Sequence, residues 1–228
     1  MATLTANKSS SPQVDPAGAT SNSDARVRLL DVAEDLFAQH GFVATSTRMI
    51  ASGANLNLGN LHYYFRSKEA LYVEVFVRRG RPLVEQRMLL LEQARARHQD
   101  KVIPVGELIR SFVQPFLFAA SEPGGEAFSQ LHCRLMAEPA DLAMLVRSKV
   151  YDDSTRAYVK AFRQALPQLP PKVLFWRLHF MIGAYTYTLM RTGRLEFISG
   201  GLCTSNDVKT ALRQILPFLE AGFTSPQA

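Results

Sequence analysis

The stretch from Thr45 to Leu71, TSTRMIASGANLNLGNLHYYFRSKEAL, constrains this 228-residue chain most. Ile50, Ala51 and Ala54 recur at helical spacing and mark the inner side of a short helix. Gly53-Ala54-Asn55 interrupts it, and Leu56 reads as an apolar plug in the turn. Asn57 predicts the N-cap of a second helix, because its side-chain oxygen can accept from an otherwise unpaired amide. Leu61 and Phe65, one helical turn apart, point inward. That leaves Gly59, Asn60, His62 and Tyr63 outward. Two short helices on a tight turn, the second presenting small, polar and aromatic side chains, describe a helix-turn-helix. Composition alone equally allows an ordinary helical hairpin in a core.

Charge bears on that choice. No Asp or Glu occurs between Leu36 and Lys68, whereas Arg48, Arg66 and Lys68 do. A nucleic-acid strand carries a phosphate every ~3.4 Å, so a carboxylate on a docking surface would be costly. The whole chain has net charge +6 and pI about 9.5. Both fit a polyanionic partner, although many basic proteins bind none.

Four segments in order, AxxLFAxxGF (Ala33 to Phe42), TSTRMIA (Thr45 to Ala51), GNLHYYF (Gly59 to Phe65) and SKEAL (Ser67 to Leu71), resemble the DNA-binding segment of the TetR family of bacterial transcriptional regulators. The likeness runs from about Arg26 to Phe76. It implies an all-α chain of about nine helices. A helix-turn-helix domain would occupy residues 24–70 and a ligand-binding and dimerisation domain residues 71–228, with a disordered tail over 1–23. It implies DNA contacts from Thr45, Thr47, Arg48, Asn57, Leu58, Gly59, Asn60, His62, Tyr63 and Lys68. Thr45 would offer hydroxyl and amide to a phosphate, and Lys68 would grip another. Two positions depart from the family's pattern. Leu58 stands where Lys or a small polar residue is common, and either meets a thymine methyl or packs inward with Leu61. His62 stands where Tyr is usual.

The rest of the chain reads as helices. One is expected from the Asp24 cap to Gln39, ended by Gly41, with Asp31, Glu34 and Asp35 on its wet side. Ser67 should cap the next, with Gly80 and Pro82 kinking or breaking it before helicity resumes from Leu83 to Arg97. Further helices are expected at Val105–Ala120, Glu126–Ala137, Pro139–Leu166, Pro171–Arg191 and Ser205–Gly222, with residues 193–205 as a loop. Leu174, Phe175, Leu178, Ile182 and Tyr185, with Trp176, Phe180 and Met181, make the 171–191 helix apolar on more than one side. Helices this apolar must be buried twice. The resemblance implies that the last two long helices form a four-helix interface with a second copy. A two-fold dimer would place two reading helices about 34 Å apart on a palindromic operator.

The resemblance also implies a ligand chamber within the helices before these. Phe112, Phe116, Phe128, Leu131, Met136, Phe175 and Met181 are candidate walls, and His132, Arg134, Arg147 and His179 could meet an anionic head group. The same residues could equally be ordinary core. Residues 167–184, PQLPPKVLFWRLHFMIGA, resemble a subgroup that senses long-chain fatty acids. A fatty acid or acyl-CoA is therefore the first expectation, and a drug-like or aromatic compound sensed by a regulator of efflux or detoxification the alternative. A nonspecific DNA-binding protein is a further alternative, but would carry more charge and little chamber. No GxSxG, P-loop, strand-linked GxGxxG or HExxH occurs, which argues against an enzyme. Cys133 and Cys203 lack metal-ligand spacing and read as buried thiols, and no cofactor or metal is expected. The amino end lacks the apolar core of a signal peptide, and no apolar run reaches ~18 residues. A cytoplasmic protein, at the nucleoid when DNA-bound, is expected.

Overall fold

The computed structural model describes residues 16–99 and 101–226, with the backbone alone for 16–22. Among these residues there are eleven helices and no strand, as an all-α chain requires. Helices α1 (Pro16–Ala44), α2 (Thr47–Gly53) and α3 (Leu58–Tyr64) form an amino-terminal head. The long α4 (Lys68–Arg97) leads from it into a bundle of α5 (Val105–Ala119), α6 (Gly125–Arg134), α7 (Ala140–Val150), α8 (Asp152–Ala165), α9 (Pro171–Leu189), α10 (Arg194–Ile198) and α11 (Val208–Thr224). The head rests on the bundle through α1 against α4 and α6, and α5 packs against α4, α8, α9 and α11.

Several boundaries differ from expectation for identifiable reasons. Helix α1 begins at Pro16, ahead of the expected Asp24 cap, so residues 16–23 are helical rather than a structureless tail. Residues 1–15 of that tail lie outside the described residues. Gly41 does turn the chain, at φ 78° and ψ 173°, a conformation that glycine adopts without strain. Helix α4 is unbroken through Gly80 and Pro82. Pro82 is exposed, where water can serve a carbonyl that loses its amide partner. Gly80 instead permits a close crossing: a Cβ there would lie 2.8 Å from Val150 Cγ1.

The expected helix over 139–166 is two helices divided at Tyr151, whose φ of −110° departs from helical values. The Ser154 and Thr155 hydroxyls both donate to the Tyr151 carbonyl, at 2.9 and 3.0 Å, and such side-chain bonds compete with the helical ladder. The break leaves Tyr151 buried. The expected loop over 193–205 contains α10. The Glu196 carboxylate accepts from Ser205 N and Oγ at 2.7 and 2.8 Å, and these bonds hold its pKa well down, to about 2. Cys133 is buried, its thiol pushed up to about 12 by desolvation, but Cys203 is exposed, against expectation. No described helix is long and apolar enough to cross a membrane.

Candidate nucleic-acid interface and interior chamber

The reading surface is built from both short helices. Ile50, Ala51, Ala54, Leu61 and Phe65 are all buried, which fixes α2 and α3 against α1 and turns their remaining sides to solvent. Leu56 packs on the same core from the turn. Asn57 caps α3, accepting from Asn60 N at 2.8 Å. Its side-chain oxygen thus orders the reading helix, whatever else it meets. Arg48, Gly59 and His62 are exposed, Tyr63 is 74% exposed, and Thr47, Leu58 and Asn60 are partly covered.

Two expected contacts are corrected. Thr45 is fully buried and its hydroxyl donates to Gly41 O at 2.8 Å. It satisfies a carbonyl at the end of α1 and cannot also hold a phosphate. Ser46 caps α2 in its place, accepting from Met49 N. The Lys68 ammonium donates to Phe42 O at 2.8 Å and Thr45 O at 2.9 Å, and lies 4.1 Å from the Phe42 ring centroid. It staples the start of α4 to the α1–α2 turn, so its first task is structural.

The head is joined to the bundle by charge. Glu34, expected on the wet side of α1, is 2% exposed. Its carboxylate accepts from Arg79 Nε at 2.9 Å and from Arg78 at 2.6 Å. A second clamp grips the glycine bend. Arg134 donates to Gln39 O at 2.7 Å, and Glu138 accepts from Phe42 N at 2.9 Å. Arg134 therefore holds the head and does not enter the chamber.

Inside the bundle, Phe112, Phe116, Phe128, Leu131 and Met181 are all buried in one cluster with Tyr151, Tyr158 and Tyr185. His132 sits among these rings, 4.9 Å from Phe116 and 6.3 Å from Phe128 by centroid, and retains some accessible surface. Its Nδ1 is 3.0 Å from Tyr151 Oη. The other expected chamber residues lie elsewhere. Arg147 and His179 are exposed, and Phe175 and Met136 are 55% and 56% exposed. In α9 the stripe Leu174, Leu178, Met181, Tyr185 and Leu189 faces the bundle, and Phe175, Trp176, His179 and Phe180 occupy the opposite face. Periodicity counted both faces as apolar and could not say which was inside.

Residues 29–75 match the family model described as bacterial regulatory proteins, tetR family, and residues 110–222 match the tetracyclin repressor-like C-terminal domain. The chain belongs to the TetR family. Its relatives are transcriptional regulators rather than enzymes. KstR2, an HTH-type transcriptional repressor of Rhodococcus jostii (strain RHA1), is 44% identical over 61 residues, which are 26% of this chain and 30% of KstR2. That match spans less than a third of KstR2. NemR, an HTH-type repressor of Escherichia coli (strain K12), is 27% identical over 63% of this chain and 67% of its own length. Among solved structures, a TetR-like regulator from Rhodococcus sp. RHA1 superposes with TM-score 0.56 at 19% identity, covering 89% of this chain and 97% of that one. FadR of Bacillus subtilis, in complex with stearoyl-CoA, gives 0.54 at 13% identity over 86% and 98%. Identities this low establish the TetR fold and nothing about ligand.

Within this TetR chain the residue that sequence reasoning missed is Arg87. It lies on the inner stripe of α4, between Leu83 and Leu91 at four-residue steps. An arginine inside such an apolar frame was the available signal. It also acts on His132. Burial first, and then the Arg87 charge, depress that imidazole from its ordinary 6.5 to about 3. His132 is neutral in the folded chain, whereas the unfolded chain protonates it near 6.5. Between those values the unfolded state binds more protons, so stability falls as pH drops from about 6.5 towards 3. His132→Phe is expected to flatten this slope in thermal melts taken from roughly pH 7 to pH 4. Parallel slopes in the two proteins would refute it. Among the described residues no group of three His, Cys, Asp or Glu could hold a metal.

Proposed function

We propose that this chain is a sequence-specific DNA-binding transcriptional regulator, a repressor. It would bind a palindromic operator as a homodimer and leave it when a small hydrophobic effector binds the bundle. The observation that carries the reading is the solvent-facing side of α3. Gly59, His62 and Tyr63 are exposed on a helix whose other side is locked to the core, in a segment without acids. A major groove admits a helix presented this way. Ser46, Thr47 and Arg48 at the start of α2 would meet the backbone, since a helix N-terminus favours phosphate.

The dimer rests on α9 and α11. The rings Phe175, Trp176, Phe180 and Phe218 are all exposed on these two packed helices, and clustered exposed apolar groups mark interaction sites. The 167–184 segment that resembles the fatty-acid-sensing subgroup contributes its distinctive Phe175, Trp176, His179 and Phe180 to this surface. It therefore speaks for an interface more than for a ligand. A fatty acid or acyl-CoA remains the first reading of the effector, on the apolar interior. The alternative is a drug-like or aromatic compound sensed by an efflux or detoxification regulator.

Tyr63→Ala tests the interface with DNA. The ring is 74% exposed and makes only an edge contact with the neighbouring Tyr64, so the helical circular-dichroism spectrum and melting temperature should change little. Affinity for an operator selected from random duplexes should fall by roughly 5- to 150-fold, as loss of about 1–3 kcal/mol of groove contact implies. Unchanged affinity would remove α3 from the DNA interface.

A further inference from the structure

Resting on that regulator reading, we propose that Arg87 is the anion-binding group of the interior site. The effector is then a free carboxylate on an apolar body, not a CoA thioester and not a cation.

Arg87 is 2% exposed. Its Nε donates to Phe112 O at 2.9 Å, and the guanidinium carbon stands 3.7 Å from the Phe112 ring centroid and 4.4 Å from that of Phe116. Among the described residues no carboxylate forms an ion pair with it, and one terminal nitrogen is buried without a hydrogen-bond partner. Burial pulls its pKa down, while the neighbouring Tyr185 and Tyr158 and a hydrogen bond to the neutral Tyr185 hydroxyl favour the charge without cancelling it. A guanidinium starts so high that it stays protonated. An interior charge without a counter-ion is costly, and a methionine would fill a similar volume without that cost. Aromatic faces attract a cation without neutralising it.

A carboxylate satisfies this site where other ligands do not. It can take the unused guanidinium N–H in a short charge-assisted bond, with Phe112 and Phe116 against its apolar body. A thioester keeps its charges on the nucleotide end and brings a neutral acyl chain to Arg87. A cation meets repulsion, and a neutral amide leaves the charge unmatched. A groove of about 260 Å³ lies between α4 and the α5–α6 turn, lined by Arg78, Arg79, Leu83, Glu122 and Phe128. Phe128 lines it and stands 6.3 Å by ring centroid from His132.

The site also touches the element that holds the head. Helix α6 carries His132 among the chamber rings and, two residues on, Arg134 on Gln39 O. A carboxylate that displaces the His132 ring would move the clamp beside Gly41, and its effect on DNA equals its difference in affinity for the two positions.

Calorimetry and thermal melts of the full chain with octanoate, benzoate, octanamide, benzamide and octanoyl-CoA test this. At millimolar concentration the two carboxylates should raise the melting temperature, and each amide should bind at least about tenfold more weakly than its acid. Arg87→Met should remain folded, lose about tenfold or more of its carboxylate affinity and bind the amides no worse. Arg87→Lys should retain part of the carboxylate affinity. Amides binding as well as acids, undiminished carboxylate binding by Arg87→Met, binding of octanoyl-CoA alone, or binding of neither acid would each overturn the proposal. Should Arg87→Met not fold, the acid–amide comparison on the unaltered chain decides. Selection of duplexes by the unliganded chain is a separate readout. Failure there removes the regulator reading and leaves the anion result standing.

Discussion

A chain carrying Phe180→Asp and Phe218→Asp is expected to be a monomer that no longer holds operator DNA. Both rings are already bare in the single chain, 62% and 71% exposed on the neighbouring helices α9 and α11. Helical content should therefore survive the change. In the proposed dimer each aspartate would be buried without a partner, at a cost of about 2 kcal/mol or more. The two-fold axis counts every substitution twice. The dimerisation constant should weaken by about a thousandfold or more. A lone head then loses the advantage of a linked twin, which is worth about 10² to 10⁴ in affinity. Space for close approach is present: at Gly183 and Gly222 an added Cβ would meet nothing within 4 Å. Sedimentation velocity with a parallel gel-shift assay checks this. A double variant that still sediments as a dimer would show that the partner docks elsewhere.

Glu34→Gln is expected to destabilise the chain by about 2 kcal/mol and to loosen the head from the bundle. The carboxylate is almost wholly buried and accepts from both Arg78 and Arg79. The amide has the same shape, but lacks the charge and keeps one acceptor oxygen. Its arginine partners retain side-chain exposures of 26% and 38%. Water can therefore recover part of their solvation, and the loss stays below that of a fully buried pair. At this chain length the melting temperature should drop by about 4–8 °C. Amide exchange should rise first in α1 to α3, because that head depends on this contact for its seat. A melting point within a degree of the unaltered chain would mean that Glu34 is only a passenger in the core.

Much of the head was legible before any coordinates. Its signals are local: a cap such as Asn57 or Ser67 acts within three residues, and the inward side of a short helix follows from spacing alone. Ile50, Leu61 and Phe65 were therefore placed correctly. Thr45 and Lys68 were not. Their partners lie on the α1–α2 turn, and nothing in the local pattern shows that a hydroxyl or ammonium is already committed to a carbonyl there. The chamber divided in the same way. Phe112, Phe116, Phe128 and His132 do meet, because each lies on the single apolar side of its helix. Phe175 and His179 went wrong because α9 is apolar on two sides.

The sequence by itself determined the helical class, the turn that sets α3 against α2, and an acid-free surface, since each depends on residues a few positions apart. Tertiary structure decided which face of α9 is inside, which charges are paired, and that Arg87 has no counter-ion among the described residues. Burial and ion pairing depend on residues dozens of positions away, such as Glu34 with Arg79, and the cost of an unmatched charge exists only once the surrounding chain has excluded water.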